Sequence, residues 1–83
     1  MKPEIIKSKR VTNGALELIK FTNDYDRDNV VKYEISLGCM SKDVLGGGAG
    51  KFKKIAEFDN FYSNEEEIIK FEKEIINFFE KLV

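Results

Sequence analysis

The sequence predicts an α+β domain in which a four-stranded antiparallel β-meander precedes one C-terminal α-helix packed on one sheet face (β-β-β-β-α). Three observations predict this plan: an Asn-Gly dipeptide between two strand-like segments, a regular alternation over residues 30–40, and an amphipathic C-terminal segment. With 83 residues, the chain is too short for two hydrophobic cores. We therefore expect a single domain over residues 1–83.

The first two strands are predicted at residues 3–12 and 15–23. Asn13-Gly14 joins them, and this dipeptide favours a type I′ hairpin turn because both central positions need positive φ. In the second strand the apolar residues do not all fall on one face, because Leu16 and Leu18 alternate with Ile19 and Phe21. We therefore expect either a bulge near Leu18 or a sheet covered on both faces.

The third and fourth strands are predicted at residues 30–40 and 51–62. In the third strand, apolar and polar residues alternate, so one face is expected to be buried and the other wet. Ser41–Gly50, which lies between the two strands, contains four glycines, and this composition is typical of a loop.

The C-terminal helix is predicted over Asn64–Val83. Ser63 or Asn64 supplies an N-cap oxygen, and the glutamates that follow favour the positive end of the helix dipole. Apolar residues then recur at spacings of three and four. The apolar stripe consists of Ile68, Phe71, Ile75, Phe78 and Leu82, widened by Ile69, Ile76, Phe79 and Val83. One helix leaves part of this stripe uncovered, which predicts a homodimer.

Composition argues against catalysis. The chain has no histidine, the commonest general base and transition-metal ligand, and Cys39 is its only cysteine. We therefore predict a protein that is not an enzyme and that uses no metal or cofactor. No apolar run is long enough to span a membrane, and the first residues lack the apolar core of a secretory signal, so we expect a cytoplasmic protein.

Two segments superficially match ligand-binding motifs. The glycine run ends in Gly50-Lys51, but Leu45 stands where a phosphate-binding P-loop needs glycine, and Phe52 stands where it needs Ser or Thr. Asp24, Asp26 and Asp28 repeat the start of a calcium loop, but Asn29 replaces its turn glycine. We interpret the first segment as a flexible loop and the second as a solvated turn.

Glu72 falls inside the apolar arc of the predicted helix. A carboxylate in that position either acts as a base with a raised pKa, reaches the edge of the interface, or pairs with a lysine across a dimer seam. If Glu72 is only a tolerated misfit, its replacement by leucine is expected to stabilise the protein.

The net charge of −1 conceals an asymmetry: residues 1–54 carry +4 and residues 55–83 carry −5. Basic side chains of the first part are predicted to share the sheet face opposite the helix, where they are suited to follow a phosphate backbone. The lysines of this predicted face are Lys7, Lys9, Lys20, Lys32 and Lys53. Four strands followed by a helix resemble the protomer of Whirly-type and related single-stranded-DNA-binding transcription cofactors. The resemblance implies an oligomer that binds single-stranded nucleic acid, and this is our alternative hypothesis.

The leading hypothesis is a small non-catalytic protein-binding module of the inhibitor, adaptor or regulatory type. The residue usage of an AT-rich genome suggests, as one version, a phage or mobile-element inhibitor of a host nucleoprotein. Acidic side chains of the helix would meet a basic surface of the protein partner. The predicted partner-binding residues are Glu66, Glu67, Lys70 and Glu74 on the helix, and Lys51, Lys53 and Lys54 beside the glycine-rich loop.

Overall fold

Four strands and one helix follow one another in the computed structural model, which describes residues 1–12, 14–26, 29–39 and 51–82. The elements are β1 (Lys2–Val11), β2 (Gly14–Thr22), β3 (Val30–Cys39), β4 (Lys51–Asp59) and α1 (Glu65–Glu80). Each strand pairs antiparallel with the next, in the order β1-β2-β3-β4. The predicted meander followed by one C-terminal helix is confirmed.

Some sequence predictions fall outside the described residues. They concern Asn13 of the expected turn, Asp28 of the acidic segment, the Ser41–Gly50 loop, Val83 at the end of the predicted helix, and the side chains of Cys39 and Lys51.

The β1–β2 pairing contains a bulge close to Leu18. The register shifts between the Ile5–Ile19 pair and the Lys7–Leu18 pair, which leaves one additional residue, Ile6, in β1. A bulge therefore does lie near Leu18, but it is in β1 and does not account for the mixed apolar pattern of β2. Leu16 and Leu18 of β2 are buried in the core beneath α1, whereas Phe21 lies on the opposite face, with Lys32 Nζ 5.1 Å from its ring centroid. The bulge exchanges the faces only of the β1 residues that precede it.

The hydrophobic core lies between α1 and one face of the sheet. It is formed by Leu16, Leu18, Val30, Tyr33, Ile35, Ile75 and Phe79. Each large apolar side chain buried in this way contributes about 1.5–3 kcal/mol. On the helix, Ile75 and Phe79 are the buried residues, whereas Phe78 and Ile69 are each 47% exposed. The buried side of the helix is therefore centred on Ile75 and Phe79, and part of the predicted apolar stripe lies at its margins.

Both ends of α1 are capped by side chains. Asn64 Oδ1 accepts a hydrogen bond from the amide of Glu66 at 2.9 Å, which confirms Asn64 as the N-cap residue. The helix ends at Glu80. There, Lys9 Nζ of β1 donates to the carbonyl oxygens of Phe79 (3.4 Å) and Glu80 (2.5 Å), in the last turn, where carbonyl oxygens lack the usual helical donors. The Phe79 oxygen also accepts from the amide of Leu82 at 3.2 Å.

Candidate functional site

A short linker, residues 60–64, connects β4 to α1, and the side chain of Asn60 fixes its conformation. Asn60 Nδ2 donates to the carbonyl oxygens of Val30 (2.8 Å) and Tyr62 (2.9 Å), and Asn60 Oδ1 accepts from the amide of Tyr62 (3.1 Å). The amide of Asn60 also donates to the carbonyl oxygen of Val31 at 3.0 Å. The linker is thus anchored to β3 rather than free to move as a loop.

Phe61, within this anchored linker, has a side chain that is 89% exposed. An isolated exposed aromatic residue is common on protein surfaces. Phe61, however, directly precedes Tyr62, which packs against α1. The linker therefore presents one aromatic ring to solvent beside a second ring that is held in place.

The β4-facing side of α1 carries an aromatic flank, which we define as Phe58, Tyr62, Phe71 and Phe78. The ring centroids of Tyr62 and Phe71 are 5.4 Å apart, and those of Phe58 and Phe78 are 5.8 Å apart. Both pairs have the inclined geometry that favours aromatic contacts. Tyr62 and Phe78 remain about half exposed, so the flank has both a packed base and an accessible rim.

A shallow groove of about 250 Å³ opens between the aromatic flank and the outer face of α1. Its lining includes two rings and three charged side chains: Tyr62, Phe71, Glu67, Lys70 and Glu74. Three of the four helix residues predicted to bind a partner therefore lie together. The fourth, Glu66, is exposed on the same helix, and its backbone amide takes part in the N-cap.

The two described lysines predicted to bind a partner beside the loop do not join this groove. Lys53 pairs with Leu37 and Lys54 pairs with Ser36 in the β3–β4 ladder. Neighbouring positions of a strand point to opposite faces, so these lysines lie on different sides of the sheet. Lys54 lies on the face opposite the helix, and Lys53, on the helix side, is not among the residues that line the groove.

The predicted lysine face is not one face. Lys7 lies 3.7 Å from a carboxylate oxygen of Glu80, Lys20 lies 3.1 Å from Glu72, and Lys9 caps the C-terminal end of α1. The prediction that these lysines lie opposite the helix is therefore wrong for Lys7, Lys9 and Lys20. Lys53 shares the helix side with Leu37, which leaves Lys32 alone of the five on the opposite face.

Lys32 belongs to an ion-pair network on the face opposite α1. Its Nζ lies 2.9 Å from Glu57 and 3.1 Å from Glu34, and Lys54 Nζ lies 2.8 Å from Glu57. The hydrogen bond to Glu57 is the main reason why the pKa of each lysine is raised. In return, Lys54 and then Lys32 lower the pKa of Glu57 to about 2.

Glu72 has two partners within its own chain. Its Oε1 accepts a hydrogen bond from the hydroxyl of Tyr33 at 2.9 Å and lies 3.1 Å from Lys20 Nζ. Tyr33 is fully buried, and this burial, followed by the bond to Glu72, raises the pKa of its hydroxyl. The lysine that pairs with Glu72 comes from β2 of the same chain, so no second copy is needed to satisfy this carboxylate.

Sequence reasoning missed Phe61 and assigned Tyr62 to the wrong element. The predicted fourth strand extended to residue 62, whereas β4 ends at Asp59. The available signal was Asn60, a turn-forming residue that interrupts the strand three residues before the N-cap region. The contact from Asn60 to β3 that positions the two aromatic residues has no counterpart in the local sequence.

Two further findings concern the described part of the chain. No helix in it is both long enough and apolar enough to cross a membrane. In the same residues, no three side chains of the metal-binding types lie close enough together to hold a metal ion. Comparison of the chain with protein-family models, with curated proteins and with solved structures gave no match.

Proposed function

We propose that this chain is a small non-catalytic protein-binding module, of the inhibitor, adaptor or regulatory type, that acts in the cytoplasm. The proposed binding surface consists of Phe61, the aromatic flank and the adjoining acidic side of α1. The observation that carries the proposal is the 89% exposure of Phe61 on a linker held by the hydrogen bonds of Asn60.

The anchored linker favours binding because it lowers the entropy that a partner must offset. An aromatic ring on a mobile loop loses conformational freedom when it binds, whereas Phe61 sits on a backbone that is already fixed. Aromatic side chains at the centre of an interface, surrounded by a polar rim, are typical of residues that dominate binding energy. Phe61 directly precedes Tyr62, and Tyr62 lines a groove with Glu67 and Glu74, so aromatic rings here adjoin polar side chains as in that arrangement.

The ion pairs favour this proposal over the alternative of nucleic-acid binding. Four of the five lysines of the predicted basic face, Lys7, Lys9, Lys20 and Lys32, already contact carboxylates or helix carbonyl oxygens. A phosphate would compete with those contacts. Tyr62 and Phe71 also share a groove with Glu67 and Glu74, which repel a phosphate backbone, whereas single-strand binders place aromatic rings among cations.

We further propose that two copies associate through the β1-facing edge of α1. Ile69, on this edge, is 47% exposed, and Ile76, seven residues further along the helix, is partly buried. This edge lies on the other side of the helix from the aromatic flank, so a homodimer leaves the proposed binding surface accessible.

The experiment is a comparative affinity capture from the cell in which the protein occurs, with wild type, Phe61→Ser and Tyr25→Ser as baits. Tyr25 is the matched control because it is 98% exposed and lies in the turn between β2 and β3. We expect wild type and Tyr25→Ser to retain the same protein, and Phe61→Ser to lose it. Thermal unfolding of each bait establishes that all three are folded.

The same three proteins are titrated with labelled single- and double-stranded oligonucleotides at two salt concentrations. Absence of binding supports the proposal. Salt-sensitive binding to single strands, or a captured protein that Phe61→Ser retains as well as wild type does, contradicts it.

A further inference from the structure

The groove brings two acidic side chains together beside two aromatic rings. Two other glutamates of α1 are paired with lysines of the sheet: Glu72 with Lys20, and Glu80 with Lys7. Glu67 and Glu74, which line the groove, make no ion pair with any residue in the described parts of the chain.

The helix dipole explains the presence of only one of the two carboxylates. Glu67 lies in the first turn of α1, where a negative charge stabilises the helix by interacting with its dipole. Glu74 lies two turns later, beyond the reach of that effect. Residues seven apart on a helix lie on the same side, so the two carboxylates border the same groove.

The aromatic part of the groove narrows the choice of occupant. The Tyr62 and Phe71 rings lie 5.4 Å apart and form an apolar wall beside the two carboxylates. A planar guanidinium group stacks on an aromatic ring and binds carboxylates through paired N–H donors. An anionic segment would be repelled, and a purely apolar one would leave the carboxylates without a partner while removing water from them.

We propose that the groove binds an arginine side chain presented by a basic segment of the partner protein. The guanidinium would stack against Tyr62 or Phe71 and pair with Glu67 or Glu74. Lys70, which also lines the groove, repels the guanidinium and so limits the affinity. This inference rests on the proposed function for its biological setting, but the groove can be tested independently of any partner.

The test is an NMR titration of the full 83-residue chain, labelled with ¹⁵N, with the peptide acetyl-Gly-Arg-Gly-amide. The matched control peptide contains citrulline, which keeps the shape of arginine but has no charge. We expect millimolar binding of the arginine peptide, with amide shifts centred on the groove. The citrulline peptide is expected to bind roughly 10-fold more weakly, a difference of about 1.4 kcal/mol.

Variants then assign the binding to the groove. Glu67→Gln combined with Glu74→Gln is expected to weaken the arginine peptide roughly 10-fold, and Lys70→Gln to strengthen it a few-fold. Glu65→Gln, on the same helix but outside the known lining, is the control and should leave binding unchanged. Equal binding of the two peptides, shifts located elsewhere, or no effect of the double variant overturns the proposal.

The titration and the capture experiment fail separately. Arginine binding in the groove without any dependence of capture on Phe61 contradicts the proposed function and leaves this inference standing. Capture that depends on Phe61, without arginine binding in the groove, contradicts this inference and leaves the proposed function standing.

Discussion

The hydroxyl of Tyr33, in the central part of the sheet, donates a hydrogen bond of 2.9 Å to Glu72 on α1. Tyr33 is fully buried, so its hydroxyl has no access to bulk water as an alternative acceptor. Every buried side-chain polar atom in the described residues has a hydrogen-bond partner, and for Tyr33 the partner is Glu72. The carboxylate inside the apolar stripe is therefore part of the interface between helix and sheet.

Replacing Glu72 by leucine is expected to destabilise the protein by about 1–3 kcal/mol, because a buried hydroxyl loses its acceptor. This reverses the expectation for a tolerated misfit. Urea denaturation measures the change, and Glu74→Leu is the control because Glu74 is exposed and has no ion pair within the described residues. In a Tyr33→Phe background the cost of Glu72→Leu should fall, since the orphaned group is absent. A stabilised Glu72→Leu variant would show that the hydrogen bond contributes nothing.

Lys9 is expected to stabilise the C-terminal end of α1. Its ammonium group donates to two terminal carbonyl oxygens and lies 5.5 Å from the centroid of the Phe79 ring. The last turn of the helix contains no basic residue, so Lys9 supplies that charge from β1. Lys9→Met keeps the aliphatic stem and should lower the free energy of unfolding by about 1 kcal/mol.

Lys53→Met is the matched control for Lys9, because Lys53 is an exposed strand lysine with no ion pair in the described parts of the chain. Its effect should stay within about 0.5 kcal/mol. Equal losses for the two variants in urea denaturation would mean that Lys9 acts only through general surface charge.

The lysine face was mispredicted because the sequence does not show which face of β2 packs against α1, whereas the fold follows from local patterns. Alternation and the Asn64 cap are local patterns, and both appear directly in the sequence. The side on which a strand lysine lies depends on which face of its strand packs against the helix. Leu16 and Leu18 of β2 are buried in the core beneath α1, and they pair with Lys9 and Lys7. Lys7 and Lys9 therefore lie on the helix side, where they meet Glu80 and the helix end.

The exposure of Phe61 is a second feature that could not be predicted from the sequence. Its exposure depends on Asn60, whose side chain reaches the carbonyl oxygen of Val30, thirty residues earlier in the chain. A contact of that sequence separation leaves no periodic pattern. The predicted strand was simply continued through the linker, which placed Tyr62 in β4 and left Phe61 unassigned.

The ion pairs of Glu57 are expected to make the free energy of unfolding depend on pH in acid. Lys54 and Lys32 lower the pKa of this carboxyl from its ordinary value of 4.5 to about 2. The folded state therefore favours the charged form, so the stabilisation is complete above about pH 4.5 and disappears as the pH falls to about 2. The unfolding midpoint of wild type should approach that of Glu57→Gln across this range.

Glu17→Gln is the control for this pH dependence. Glu17 pairs with Ser36 in β3, next to the network, and makes no ion pair with a described residue. Its midpoint should remain parallel to that of wild type from pH 6 to pH 2. A gap between wild type and Glu57→Gln that does not change with pH would mean that the network does not hold the Glu57 charge.

The proposed homodimer predicts the mass of the protein in solution. Sedimentation equilibrium at tens of micromolar should give twice the chain mass of 9.6 kDa. Ile69→Lys places a charge on the exposed apolar edge that the second copy would cover, and burying an unpaired charge there costs enough to favour the monomer. Asn77→Lys adds the same charge to an exposed position elsewhere on α1 and should leave the dimer intact. A wild-type chain that stays monomeric, or an Ile69→Lys variant that stays dimeric, would show that this edge of α1 is not an interface between copies.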